Sequence, residues 1–368
     1  MKLRMRTNFK SSFGALMIDA VMLVALLALS LPARGAGDSD SETLRQYADK
    51  LGFGIGNVIQ GRFWNRLPQF KPILSREYNR AFTIVTMRQT QPERGHFDFD
   101  GMDQASQFAR DHNMKLFGVA LVYRNDSSPD WLHFNSLLCG GYSAQELDQI
   151  LKEQIETLVR HGGNDYYAWE VVNEPLAPGH NGCWGRVLGQ DNMIAKAFQY
   201  AHEANPNVTL LLNDTFGQSG VDKEKTDEFF ELIARVRKLG AQIDAVGCQM
   251  HLEEQQLHPD YVDEFKYFLT QARKAGVQVQ ITEMDVYQGP PGAVQDPYVK
   301  QKEVFYNIVH TCLKDSNCTA VTIFGMNDDL TWLRTNKDLF DANPVLFDGQ
   351  YNKKPAYYGV LDALKEGR

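Results

Sequence analysis

From Leu51 onward, short apolar runs alternate with longer stretches in which apolar residues recur every three to four positions. The runs at 53–58, 81–87, 115–122, 168–174, 209–214, 245–251, 278–286 and 320–326 predict strands. Between and after them, 101–112, 143–160, 192–203, 226–238, 261–274, 299–313 and 354–365 carry the helical period. Leu239-Gly240 and Ala275-Gly276 supply the glycine that ends a helix in a left-handed residue before the next strand begins. Eight such units with no Pro- or Ser-rich linker between them close most simply into one (β/α)8 barrel. A doubly wound sheet is the alternative, but it would not bring the ends of the fourth and seventh strands to one mouth.

The first residues break this pattern. Lys2, Arg4, Arg6 and Lys10 precede an apolar run from Val21 to Leu31, and small residues follow around Ala33-Arg34-Gly35. That order predicts a signal peptide over 1–35 and a mature domain over 36–368, secreted or periplasmic and off the membrane once cleaved. Export makes the cysteines readable. Cys312 and Cys318 flank a helix-to-strand turn and are expected to pair, Cys139 and Cys183 are a second possible bridge, and Cys248 reads as a packed core thiol.

With 368 residues and 43% hydrophobic content the chain can bury a large core. A net charge of -8 without any basic stripe argues against a nucleic-acid surface and leaves an uncharged or basic partner, and the protein is expected to act as a monomer.

Chemistry in a barrel sits at the C-terminal ends of the strands. Those ends read Asn173-Glu174, Asn213-Asp214, Gln249-Met250-His251 and Glu283-Met284-Asp285, with Asn327, Asp328 and Trp332 after the last strand. Glu174 follows a buried strand and precedes Pro175, so desolvation is expected to favour its protonated form, as a general acid needs. Strict alternation over 281–286 would turn Glu283 and Asp285 to one side and Thr282, Met284 and Val286 to the other. His251 on the neighbouring strand end would then link Asp285 to Glu283 and keep Glu283 ionised.

One carboxyl kept protonated and one kept ionised across a cleft is the requirement for retaining glycoside hydrolysis, with an expected separation of about 5 to 5.5 Å. Glu174 would protonate the leaving oxygen and Glu283 would attack the anomeric carbon. Asn173 could donate to a sugar 2-hydroxyl, and Trp332 offers a flat face for a pyranose ring. No cofactor is implied, and a single His among the strand ends argues against a metal.

Trp169-Glu-Val-Val-Asn-Glu174, Leu212-Asn-Asp214, Gly247-Cys-Gln-Met-His-Leu252, Ile281-Thr-Glu-Met-Asp-Val286, Thr331-Trp332 and Lys354-Pro-Ala-Tyr357 resemble the signature blocks of glycoside hydrolase family 10. The resemblance runs from about Phe53 to the C-terminus and implies a (β/α)8 barrel with xylanase-type retaining activity on a polysaccharide or oligosaccharide. It further implies Glu174 as acid/base, Glu283 as nucleophile, and Asn173, Gln249, His251 and Trp332 around the cleaved sugar.

Where the family usually carries Glu-Asn-x-Met-Lys-Trp after the second strand, this chain reads Met87-Arg88-Gln89-Thr90-Gln91. Tyr123-Arg124-Asn125-Asp126 stands in place of Trp-His-Ser-Gln, Thr215-Phe216 in place of Tyr-Asn, and Phe324 in place of a Trp. The surface that grips the non-reducing side has been rebuilt. Arg88 and Arg124 could recognise a uronic acid there, since a guanidinium fork suits a carboxylate, or could simply pair with Asp126 or Glu93. Another β-linked glycan with the same mechanism, or a carbohydrate-binding protein without catalysis, are the competing functions.

Overall fold

The computed structural model describes residues 42–368 except 60, 135–137, 178–181, 289–295 and 337–341. The expected signal peptide, 1–35, lies outside the described residues. No described helix is long and apolar enough to cross a membrane.

The strands are β1 (Gly54–Ile59), β2 (Arg80–Ile84), β3 (Lys115–Val119), β4 (Tyr166–Asn173), β5 (Thr209–Asp214), β6 (Ala245–Cys248), β7 (His251–Glu253), β8 (Gln278–Tyr287) and β9 (Cys318–Ile323). All pair in parallel in the order β6-β5-β4-β3-β2-β1-β9-β8, and β6 pairs back onto β8, which closes an eight-stranded barrel. Short β7 adds to the top of β8, where His251 lies opposite Asp285. The helices Phe70–Glu77, Asp100–Asp111, Ala144–Gly162, Gln190–Ala204, Lys223–Lys238, Tyr261–Ala275, Pro297–Lys314 and Pro355–Glu366 follow in alternation. This is the (β/α)8 barrel expected from the pattern.

Strand and helix boundaries move in informative places. The predicted strand 245–251 is two strands, because Met250 adopts a left-handed φ of 65° and breaks the ladder. The predicted strand 81–87 ends at Ile84, and Met87–Thr90 forms a helical turn. Two helices absent from the expectation, Leu44–Leu51 and Phe70–Glu77, flank β1. Ser143 starts Ala144–Gly162 with a capping box through Glu146, and Gly276 closes Tyr261–Ala275 in a left-handed residue.

Two apolar layers hold the barrel. Outside it, β-strand residues such as Ile55, Leu116, Trp169, Val246 and Val321 pack against the helices. Trp169 lies wholly buried in a slot where a β-carbon on Gly118 would overlap its ring, with Tyr166 stacked on it at 4.7 Å. Inside, Val58, Phe82, Phe117, Ala168, Leu211 and Ala245 fill the middle, above Arg80 stacked 4.2 Å over Tyr167. The barrel is therefore plugged from below, and the polar cluster that includes the expected carboxylates gathers at the strand C-termini.

Cys312 and Cys318 are disulfide-bonded, as are Cys139 and Cys183, and Cys248 is free and buried. The second bridge ties the loop after β3 to the loop after β4.

Candidate active site

Both strands that carry the expected carboxylates lose their regular register just before them. On β4 the shift against β5 falls between Glu170 and Val172, so Val171 and Val172 both join the outer core while Asn173 turns inward. On β8 the shift against β9 falls between Ile281 and Met284. A bulge of this kind re-aims side chains. It also overturns the strict alternation expected over 281–286: Thr282 does not share a face with Met284 and Val286. Thr282 Oγ1 donates to Asn213 Oδ1 at 2.8 Å, and Asn213 Nδ2 donates to Glu283 Oε1 at 3.0 Å, so Thr282 and Glu283 face the same interior.

Glu174 follows β4 in a left-handed backbone conformation, φ 51°. Such a conformation is disfavoured for a residue with a β-carbon and persists where surrounding bonds over-determine it. Here the Glu174 amide donates to Asn213 O at 2.8 Å and the next free amide, Leu176, donates to Asp214 Oδ2 at 2.9 Å. Asp214 is itself held by Lys225 at 2.8 Å. Burial raises the Asp214 carboxyl against the pull of that ammonium. Asp214 thus fixes the path of the chain beyond Glu174.

A chain of side-chain amides connects the two carboxylates. From Glu283 it passes through Asn213, whose Nδ2 also donates to Asn173 Oδ1 at 3.1 Å. Gln249 Nε2 then reaches both Asn173 Oδ1 at 3.2 Å and Glu174 Oε1 at 2.9 Å. Because Asn173 Oδ1 accepts twice from the protein, its amide nitrogen is the end left for another acceptor.

On the other flank of Glu283, His251 lies between two acids. Its Nδ1 is 2.9 Å from Asp285 Oδ2 and its Nε2 is 3.4 Å from Glu283 Oε2. Burial alone would lower the imidazole pKa, but the charges of Asp285 and Glu283 and their hydrogen bonds outweigh it and carry the pKa up to about 10. At neutral pH His251 is therefore a cation that screens the two carboxylates from each other. Trp332 Nε1 donates to Asp285 Oδ2 at 2.7 Å, and its ring lies 4.9 Å from that of His251.

Arg88 and Arg124 are engaged on the rebuilt loop. Arg88 pairs with Asp130 at 2.7 Å and donates to the Asp126 carbonyl at 2.9 Å. Arg124 pairs with Asp126 at 3.4 Å and lies 4.6 Å over the Tyr123 ring. The pairing with Asp126 is one of the two arrangements open at the sequence level; Glu93 takes no part in these pairs.

Four further positions join this constellation: Asn213 and Asp214, read from the sequence as strand ends outside the catalytic set, Tyr123, read only as a departure from the family, and Glu170, to which no role was given. Asn213, wholly buried, is the hub of the amide chain. Asp214 anchors the segment after Glu174. Tyr123 lies within hydrogen-bonding reach of the Glu174 carboxyl. Glu170, also wholly buried, sits beneath both expected carboxylates, and neither of its oxygens meets a donor in good geometry. Burial, and then the charges of Glu283 and Glu174, raise its pKa well above the usual carboxylate range, so the uncharged acid is favoured. A signal was available: two residues beyond Ala168 on one strand, Glu170 shares its inward face.

Among the described residues, the one His/Asp/Glu group close enough to share an ion is His258, Asp260 and Glu264, outside this constellation, and there His258 already bonds Glu264 at 2.9 Å.

The family model described as "Glycosyl hydrolase family 10" matches residues 43–363. An endo-1,4-beta-xylanase B of Thermotoga neapolitana is 30% identical over 356 residues, which cover 94% of this chain and 98% of that protein. An exoglucanase, XynX, of Acetivibrio thermocellus is 30% identical over 328 residues, or 85% of this chain, but this chain spans only 29% of it. The crystal structure of xylanase 10B from Thermotoga petrophila in complex with xylobiose superposes with a TM-score of 0.80 at 28% identity, covering 88% of this chain and 98% of that one. This chain belongs to glycosyl hydrolase family 10.

Proposed function

We propose that the protein is an exported retaining β-glycoside hydrolase of endo-1,4-β-xylanase type, with Glu174 as acid/base and Glu283 as nucleophile. The observation that carries this reading is the unbroken amide relay from Glu283 through Asn213, Asn173 and Gln249 to Glu174. It holds two carboxyls in fixed relation at the mouth of a plugged barrel, as double displacement requires.

In the first step Glu283 Oε attacks the anomeric carbon as the glycosidic C–O bond breaks, and Glu174 gives its proton to the departing oxygen. In the second step Glu174 takes a proton from water, the water oxygen bonds to the anomeric carbon, and the Glu283–sugar ester bond breaks. His251, charged and shared with Asp285, lies against Glu283 and orients it for attack. Asn173 offers its amide nitrogen to the sugar 2-hydroxyl, and Trp332 presents its ring to the pyranose. We also read residues 1–35 as the export signal, and the active species as a monomer that uses no cofactor.

The test is product analysis on unsubstituted xylan, glucuronoxylan and aryl β-glycosides with the wild type and Glu283→Ala. Release of xylo-oligosaccharides that is lost in the variant supports the reading. A second substrate class, another β-linked glycan, is favoured by the rebuilt loop after β2 and by similarity to an exoglucanase. Silence on xylan with activity on that class would replace xylan as the substrate. Tight sugar binding with no hydrolysis at all would overturn the enzymatic reading.

A further inference from the structure

The loop after β3, one of those that depart from the family sequence, is built against the acid/base. Val122 bridges to Val172 at the top of β4, and its carbonyl accepts the Asn173 amide at 3.0 Å, so Tyr123 begins its loop directly beside Glu174. Three devices then fix that loop. Arg124 stacks on the Tyr123 ring and pairs with Asp126. Arg88, from the turn after β2, grips both Asp126 and Asp130, and Trp131 Nε1 donates to Gln91 O at 3.0 Å. Asn125 Oδ1 accepts the Cys183 amide at 2.8 Å, and Cys183 is disulfide-bonded to Cys139 further along the same loop.

A loop that served only to contact sugar would leave its polar forks to the ligand. Here Arg88 engages the loop with its fork, Arg124 pairs within it, and the Tyr123 hydroxyl lies within hydrogen-bonding reach of Glu174. We propose that Tyr123 is a positioning residue for Glu174, donating a hydrogen bond to its carboxyl, and that Arg88 and Arg124 serve to brace it. This rests on the reading of Glu174 as acid/base.

Tyr123 is suited to the part. Burial, and then the negative charge of Glu174, push its phenol far above the ordinary tyrosine range, so it remains an O–H donor throughout the working pH range. With Gln249 already donating to Oε1, a second donor restricts rotation of the carboxyl. A donor also favours the carboxylate over the acid. It therefore assists Glu174 in the second step, where it must accept a proton from water, and opposes it in the first, where it must give one.

Tyr123→Phe keeps the ring under Arg124 and removes only the hydroxyl, and Tyr123→Leu removes the hydroxyl and the ring together. In both, the alkaline limb of kcat/KM should move to higher pH, since the protonated form is no longer disfavoured by the donor. The turnover of an activated aryl β-glycoside, limited by the second step, should fall about threefold to tenfold. Glu174→Ala is the control. If azide restores its turnover on the activated substrate, the acid/base assignment stands, because azide attacks the glycosyl intermediate without a base. Given that rescue, an unchanged alkaline limb and unchanged turnover in both Tyr123 variants would overturn the proposal. Absence of any defect in Glu174→Ala would instead overturn the assignment on which it rests.

Discussion

Asn213 Oδ1 occupies the space that any β-carbon on Gly247 would need. The amide at the centre of the site is thus seated on β5 by the absence of a side chain on β6, and Thr282 from β8 completes its socket. Gly247→Ala should force Asn213 off Glu283 and Asn173. Overpacking of this kind costs about 1 to 3 kcal/mol. The expected result is a lowered melting temperature together with a drop in kcat out of proportion to it, measured on protein well below its transition.

Glu170 gives a prediction of opposite sign. Its carboxyl takes up a proton on folding, because the unfolded reference of 4.5 is raised in the buried site. Above pH 4.5 the native state binds more protons than the unfolded one, so this group's contribution makes stability fall as pH rises. Glu170→Gln, neutral at every pH, should be more stable than wild type at pH 7 and 8, with the difference shrinking towards pH 4. Urea unfolding at those values measures it, and a wild type more stable than the variant at pH 8 would refute the buried neutral acid.

His251 acts in a higher window. Its pKa is about 10 in the folded protein against 6.5 unfolded, so its contribution is complete below pH 6.5 and lost as pH climbs towards 10. Thermal melts of the wild type should fall through that window, and His251→Gln should remove that part of the slope. Replacing His251 also exposes Glu283 to Asp285 without a cation between them, so kcat should drop about a hundredfold or more even at neutral pH.

Arg88→Ala tests the brace without touching the carboxylates. The pair with Asp130 is exposed, and such pairs contribute about 0 to 1 kcal/mol, so the melting temperature should barely move. Activity on neutral and acidic xylo-oligosaccharides should fall by the same modest factor. Selective loss on the acidic substrate would revive a uronate-binding role.

The sequence pattern was sufficient for the barrel because eight parallel strands leave eight apolar runs, and for placing Glu174 and Glu283 at its mouth because strand ends are where side chains face it. It failed where two residues fall out of step. Alternation placed Thr282 with Met284, and only the irregular pairing beside β9 turns it towards Asn213. Glu170 was passed over because an acid inside a strand reads as polar, whereas burial here favours its neutral form. The helix Phe70–Glu77, absent from the expected elements, carries Pro72 in its first turn, where a proline is tolerated because those amides have no partner in the helix. Arg88 and Arg124 show a further limit: a guanidinium's partner depends on loop geometry that spacing does not encode.

The first and last described helices meet beneath the barrel. Glu77 accepts the Leu44 amide at 3.2 Å and the Tyr357 hydroxyl at 2.7 Å, and Lys365 reaches Glu42 at 2.5 Å. Arg45 of the same first helix donates to His112 O and Asn113 O, in the turn that leads into β3, which places the junction on the face opposite the cleft. The polypeptide from 42 to 365 is therefore almost a closed ring. Joining those positions with a short linker and opening the ring in an exposed loop between two strands would give a rearranged gene whose product keeps every strand neighbour.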